Sequence, residues 1–167
     1  MSSGPFYGKY PGTVKANVDS KNRGRLLVEV PDVGGNNLLS WALPCLPVTG
    51  RNMGMFTVPP VGAGVWVEFI RGDADRPIWV GGYYGEGDAP TLGRNVPPGI
   101  SGITLQTQGS NGLVIKDGPG GGILIQTAGG AKIEVTDTGI TISTGLGATL
   151  TLKNNTVDVN SGALTVK

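Results

Sequence analysis

Few residues of this chain could do chemistry, and most of them lack the partners that the chemistry needs. There is no histidine, which excludes a nucleophile activated by an imidazole base. Cys45 is the only cysteine, so neither an internal disulfide nor a thiolate metal cluster can form. In Trp41-Ala-Leu-Pro-Cys-Leu-Pro47 it reads as a small buried apolar residue. Asp73 and Asp75 form the one close pair of carboxylates in a turn, in Gly72-Asp-Ala-Asp-Arg76, with Glu68 on the preceding strand. Acid–base or calcium chemistry would need further ligands. The pair reads instead as a hairpin turn in which Asp side chains bond nearby backbone and Arg76 balances charge. Gly118-Pro-Gly-Gly-Gly122 has the glycines of a phosphate cradle but no Gly-Lys-Ser/Thr ending and no following helix, so it reads as a wide turn. Asn154-Asn155-Thr156 fits a glycosylation sequon; without a secretion signal it reads as a turn. Catalytic, cofactor-binding and metal-binding residues are therefore all expected to be none.

Binding chemistry is scarcely better supplied. Trp41, Trp66 and Trp79 could stack on bases or sugars, but the first 90 residues carry eight basic and eight acidic side chains, and the whole chain has a net charge of +1. That balance leaves no electrostatic footprint for nucleic acid or an anionic membrane. Trp66 and Trp79 read as outward-facing residues that pack against a sister chain or another protein. The first eleven residues lack the basic and apolar regions of a signal peptide, and no apolar run approaches the ~20 residues of a membrane-spanning helix. The expectation is synthesis in a bacterial cytoplasm.

The elements that must position whatever these residues do are all short strands. From Gly102 to Lys167 aliphatic pairs recur at i and i+2: Ile103/Leu105, Leu113/Ile115, Ile123/Ile125, Ile133/Val135, Ile140/Ile142, Leu150/Leu152, Val157/Val159 and Leu164/Val166. Residues two apart share one face of a strand. The residue between points the other way, and six of the eight are polar: Thr104, Glu134, Thr141, Thr151, Asp158 and Thr165, against Val114 and Leu124. Gly- and Asn-rich turns separate the pairs, and no 3.6-residue period appears. This is a repeat with one narrow apolar stripe. Covering sixteen aliphatic side chains is worth at most roughly 24–48 kcal/mol, so a partner surface is required. A single-chain solenoid is one solution. Identical chains around an axis is the other, and it is favoured because each unit offers one apolar face where a solenoid coil needs several. Three is the smallest number that closes a tube.

All ten aromatic residues lie at or before Tyr84. Aromatics fill thick cores, which a thin shaft lacks. The predicted organisation is a barrel domain over 1–84, a linker over 85–101 and a needle over 102–167. In the first half, Val14, Ala16 and Val18 alternate with Lys15, Asn17 and Asp19, and Leu26, Val28 and Val30 form a second inward face. About five strands in some 80 residues suit an oligonucleotide/oligosaccharide-binding (OB) type barrel.

Gly24-Arg-Leu-Leu-Val-Glu-Val-Pro31, Trp41, Pro60-Val-Gly-Ala-Gly-Val-Trp-Val-Glu-Phe69, Gly72-Asp73, Arg76-Pro77 and Gly81-Gly82-Tyr83 together resemble the N-terminal barrel of contractile-tail spikes, the phage baseplate assembly protein V family, related to type VI secretion spike proteins. The repeat that follows is similar to the triple-stranded β-helix of those spikes. The resemblance implies an all-β fold: an OB-fold barrel followed by an intertwined triple-stranded β-helix, with the sixteen paired aliphatics at the axis of a homotrimer. It implies no enzyme and no cofactor. It also implies a separate hub protein at the barrel end, transient contact with a target cell envelope, and assembly into a virion or phage-tail-like particle. About 18 residues separate Tyr84 from Ile103, too few for the lysozyme domain that some such spikes insert. The C-terminal end lacks the histidines and cysteines that hold a metal at some spike tips, so Leu164, Thr165, Val166 and Lys167 are expected to form a platform for a separate tip protein. The alternative is an OB-fold module binding carbohydrate or nucleic acid on a β-solenoid stalk.

Overall fold

The computed structural model describes residues 4–34, 39–95 and 99–166. The fold is all-β, and the chain divides into two compact units, one running to Gly87 and the other starting at Asp88.

The first unit holds β1 (Tyr10–Ala16), β2 (Leu26–Glu29), a single turn α1 (Pro31–Gly34), β3 (Leu39–Pro44), a small hairpin of β4 (Thr49–Gly50) and β5 (Met53–Gly54), β6 (Gly64–Phe69) and β7 (Pro77–Tyr83). Five strands close into a barrel in the order β1-β2-β3-β7-β6. Only the β3–β7 pairing is parallel, so closure brings together strands far apart in sequence. The period-two pattern sets which residues point inward: Val14, Leu26, Val28, Val30, Ala42, Val65, Val67, Phe69 and Trp79 form the core. Phe6 and Tyr10 pack against Phe69 with ring centroids 5.9 and 5.6 Å away and lie 6.1 Å from each other, adding an aromatic layer to that core.

Four expectations for the barrel need correction. Val18 is exposed and Asp19 is buried, because the register shifts between Val14 and Ala16 and the strand stops at Ala16; beyond a bulge the in–out alternation no longer holds. The Asp19 carboxylate accepts bonds from the backbone N–H of Lys21, Arg23 and Arg25 at 2.9, 2.8 and 3.3 Å and from the Arg25 guanidinium at 2.6 and 3.0 Å. The Arg25 bond, helped by these amides, holds its carboxyl well below the usual range. Trp79 faces the core, not a sister chain: it and Pro77 are the inward residues of β7, and its indole N–H donates to the Gly24 carbonyl at 3.1 Å. Cys45 is exposed; it follows the last residue of β3, and its backbone N–H, not its thiol, faces β7 through the Trp79 carbonyl at 2.9 Å.

The second unit is one antiparallel sheet of eight strands in sequence order: β8 (Gly102–Gln106), β9 (Gly112–Lys116), β10 (Gly122–Gln126), β11 (Lys132–Thr136), β12 (Gly139–Ser143), β13 (Thr149–Lys153), β14 (Thr156–Val159) and β15 (Leu164–Val166). Each strand pairs with its sequence neighbours. The larger loops along one margin are alike: Thr107, Thr127 and Thr144 each donate the backbone N–H to the carbonyl four residues on, at 2.9–3.1 Å. Along the other margin two-residue turns join β11 to β12 and β13 to β14, whereas five residues, 117–121, join β9 to β10. Gly122 and Gly139 open β10 and β12 with φ of 138° and 156°. A Cβ at either would collide with the carbonyl of Val135 or Leu152 on the next strand, so glycine is required there.

Candidate assembly face

The pairing register arranges the sixteen aliphatics in two straight columns. Ile103, Ile115, Ile123, Val135, Ile140, Leu152, Val157 and Val166 stand opposite one another strand by strand, as do Leu105, Leu113, Ile125, Ile133, Ile142, Leu150, Val159 and Leu164. No register shift interrupts either column. A slip of one residue would turn a strand's pair to the opposite face, so the turns and glycines that set register also set this surface.

The columns line one face of the sheet and stay open. Ile103 is 58% exposed, Ile125 50% and Ile142 42%, while Leu113, Val135, Leu150 and Val159 are half-buried by their neighbours. An apolar surface of this extent, uncovered within its own chain, marks an interaction face. On the other face runs the column Thr104, Val114, Leu124, Glu134, Thr141, Thr151, Asp158 and Thr165. The Lys132–Glu134 ion pair there, at 2.8 Å, is about 40% exposed on both sides.

The residues singled out for chemistry sit in turns and on the barrel surface. Asp73 and Asp75 sit in an exposed turn, the Asp75 N–H donating to Asp73 Oδ1 at 3.0 Å, and Glu68 pairs with Lys9. Among the described residues no group of three or more His, Cys, Asp or Glu side chains could hold a metal ion. Gly118–Gly122 is a turn closed by Gly121 N–H to the Gly118 carbonyl at 2.8 Å. Asn154 takes a left-handed φ of 54° in its two-residue turn. Trp66 is partly exposed and stacked on Tyr83 at 4.9 Å, and the Arg25 guanidinium lies 5.2 Å from the Trp41 ring. In the predicted tip platform Leu164 and Val166 are more than half exposed on β15; Lys167 lies outside the described residues.

Two family models match the chain. Residues 10–84, the closed barrel, match the type VI secretion system/phage-baseplate injector OB domain. Residues 102–165, the sheet with the two aliphatic columns, match the phage baseplate V C-terminal trimerisation domain. The chain belongs to the phage baseplate V family. No curated protein matches it. Both matched families are of structural baseplate and spike proteins. The open face of this baseplate V chain thus lies in a domain whose family is defined by trimerisation.

Sequence reasoning missed two sets of residues. Asp19 was legible as a carboxylate followed by the turn Ser20-Lys-Asn-Arg-Gly24, a pattern that invites side-chain-to-backbone bonds. Leu92 and Ile100, assigned to a linker, pack on the second unit; the signal was Val114 and Leu124, two apolar residues in an otherwise polar column.

Proposed function

We propose that the chain is the central spike of a contractile-tail baseplate, a homotrimer without enzymatic activity. The observation that carries this reading is the pair of uninterrupted aliphatic columns left open in a trimerisation-family sheet. Three copies close around an axis with these columns inward. Burying what remains exposed of sixteen side chains is worth on the order of 10–25 kcal/mol per chain. Because each chain's strands pair among themselves, each copy supplies one wall, and the right-handed twist of the sheets winds the three walls about one another. Eight strands at ~4.8 Å spacing give a shaft of roughly 40 Å.

The mechanism is mechanical. Contraction of a sheath drives the spike at the target envelope, and the shaft must neither buckle nor unfold. A dry three-walled tube suits this, since β-branched residues stiffen its strands. The barrel docks on a separate hub protein. The C-terminal strand, with Leu164 and Val166 exposed, seats a separate tip protein. The protein is made in a bacterial cytoplasm and is incorporated into a virion or tail-like particle.

Light scattering tests the core of the reading. A particle of three times 17.1 kDa that resists detergent is expected. A monomer would overturn it, and a monomer that retards a glycan or an oligonucleotide would favour a binding module.

A further inference from the structure

The hairpin repeat of the second unit is broken in four places, and the breaks lie together. Val114 and Leu124 are apolar in a column that is otherwise Thr, Glu and Asp. Gly112 opens β9 where Lys132 and Thr149 open the equivalent strands β11 and β13. The turn 117–121 has five residues where its equivalents have two.

Two short stretches, around Leu92 and around Ile100, meet all four. Leu92 lines a pocket with Val114, Leu124 and Gly122, and Val114 is the most buried hydrophobic residue of the unit, at 5%. A Cβ on Gly112 would lie 2.5 Å from Leu92 Cδ1 and 2.9 Å from the Leu105 carbonyl of the neighbouring strand, so a side chain there would press on both Leu92 and the sheet. Ile100 Cδ1 lies 3.0 Å from where a Cβ on Gly118 would stand, and the Asp117 N–H donates to the Ser101 carbonyl at 3.0 Å. Polar contacts fix the stretch around Leu92. Gln106 Oε1 accepts the Leu92 N–H at 2.9 Å, and the Gln106 side chain bonds Thr91 Oγ1 at 3.1 Å. Gly93 sits against Thr104, whose Oγ1 would be 3.1 Å from a Cβ there.

We propose that Pro90–Asn95, seconded by Ile100, is a dedicated strap that fastens the chain to the outer face of β8–β10. Three departures from a repeat under Leu92 and a fourth under Ile100 are what a specific docking site requires; a passive linker would need none of them. The strap gives the chain a fixed point on the sheet ahead of β8, at Leu92 and its Gln106 contacts. A load entering along the chain is then taken by the packed face before it reaches β8, which otherwise would be peeled strand by strand from an edge. The strap is distinct from the aliphatic columns, which lie on the opposite face, and its docking does not depend on the trimer reading.

The test is trypsin cleavage after Arg94 in the full chain, followed by mass spectrometry, with oligomeric mass measured in parallel. Leu92→Asp is expected to speed cleavage at Arg94 by at least tenfold without changing the oligomeric mass. The double variant Val114→Thr/Leu124→Thr leaves the strap sequence untouched and restores the polar column. It is expected to speed the same cleavage to a similar degree. Cleavage unchanged in both variants would overturn the strap. So would loss of the wild-type oligomer in the double variant, since the strap site would then be part of the assembly face.

Discussion

The barrel and the eight-stranded sheet are made of the same element, a short strand with apolar residues at alternate positions, and they complete its burial differently. In the barrel the strands curl until β1 meets β6, and β3 meets β7 in parallel. The inward residues find each other, and Val14, Leu26, Val65 and Val67 keep no exposed surface. In the sheet each strand meets only its neighbours in sequence, and the same alternation leaves twelve of the sixteen aliphatics exposed and the other four half-buried. The difference lies in turn length and residue size. Short turns and unbroken register keep each strand beside its sequence neighbours, and the aliphatics are too small to fill a core between a sheet and itself. The barrel uses long connections and large rings, Phe69 and Trp79 among them. One half of the chain is a finished domain; the other is a wall that needs other walls.

That contrast can be broken most severely at the centre of the open face. If three copies close on the columns as proposed, Ile133→Asp places three carboxylates in a dry axis, each costing several kcal/mol after relaxation. The expected result is complete loss of the trimer by light scattering, with the barrel's near-ultraviolet aromatic signal retained, since all ten aromatic residues lie at or before Tyr84. A variant that stayed trimeric and resistant to melting would mean that the columns face outward.

A change in the closed core should do the reverse. Leu26→Ala removes a fully buried side chain and should cost the barrel about 2–5 kcal/mol. Denaturant unfolding followed by tryptophan fluorescence should record that loss, because Trp41, Trp66 and Trp79 all report on this unit, while the particle mass stays unchanged. Dissociation of the particle together with barrel unfolding would show that the barrel, not the sheet, holds the chains together.

How much of this was legible depended on whether the pattern was local. The φ-x-φ pairs fixed the eight strands and the face of every aliphatic, because neighbouring strands pair and turns of two to five residues leave little choice of register. Leu26, Val28 and Val30 were legible for the same reason. What stayed hidden came from contacts distant in sequence. Trp79 looked like a surface anchor until its indole met the Gly24 carbonyl, 55 residues away. Val18 and Asp19 were misplaced because a bulge reverses alternation without any residue that announces it. Cys45 looked buried by composition, yet the strand ends one residue earlier. Leu92 lay in a Pro- and Gly-rich stretch that reads as linker, and its contacts with Val114, Leu124 and Gln106 come from residues 14 or more positions away.

The smallest effect is expected on the outer face, and it sharpens the contrast by being small. Glu134 stands in the same strand as Ile133, one residue away, and points to the opposite side. Its ion pair with Lys132 is about 40% exposed on each partner, and pairs that open to water contribute roughly 0–1 kcal/mol. Glu134→Lys loses that pair and sets two like charges side by side, so melting should shift by no more than a few degrees and the oligomeric mass not at all. A period of two is what makes adjacent residues so unequal: one step along the backbone separates a substitution that abolishes assembly from one that leaves it intact. Were Glu134→Lys to dissolve the particle as Ile133→Asp does, both faces of the sheet would be in contact with other chains, and the wall would have to be the inner layer of a thicker structure.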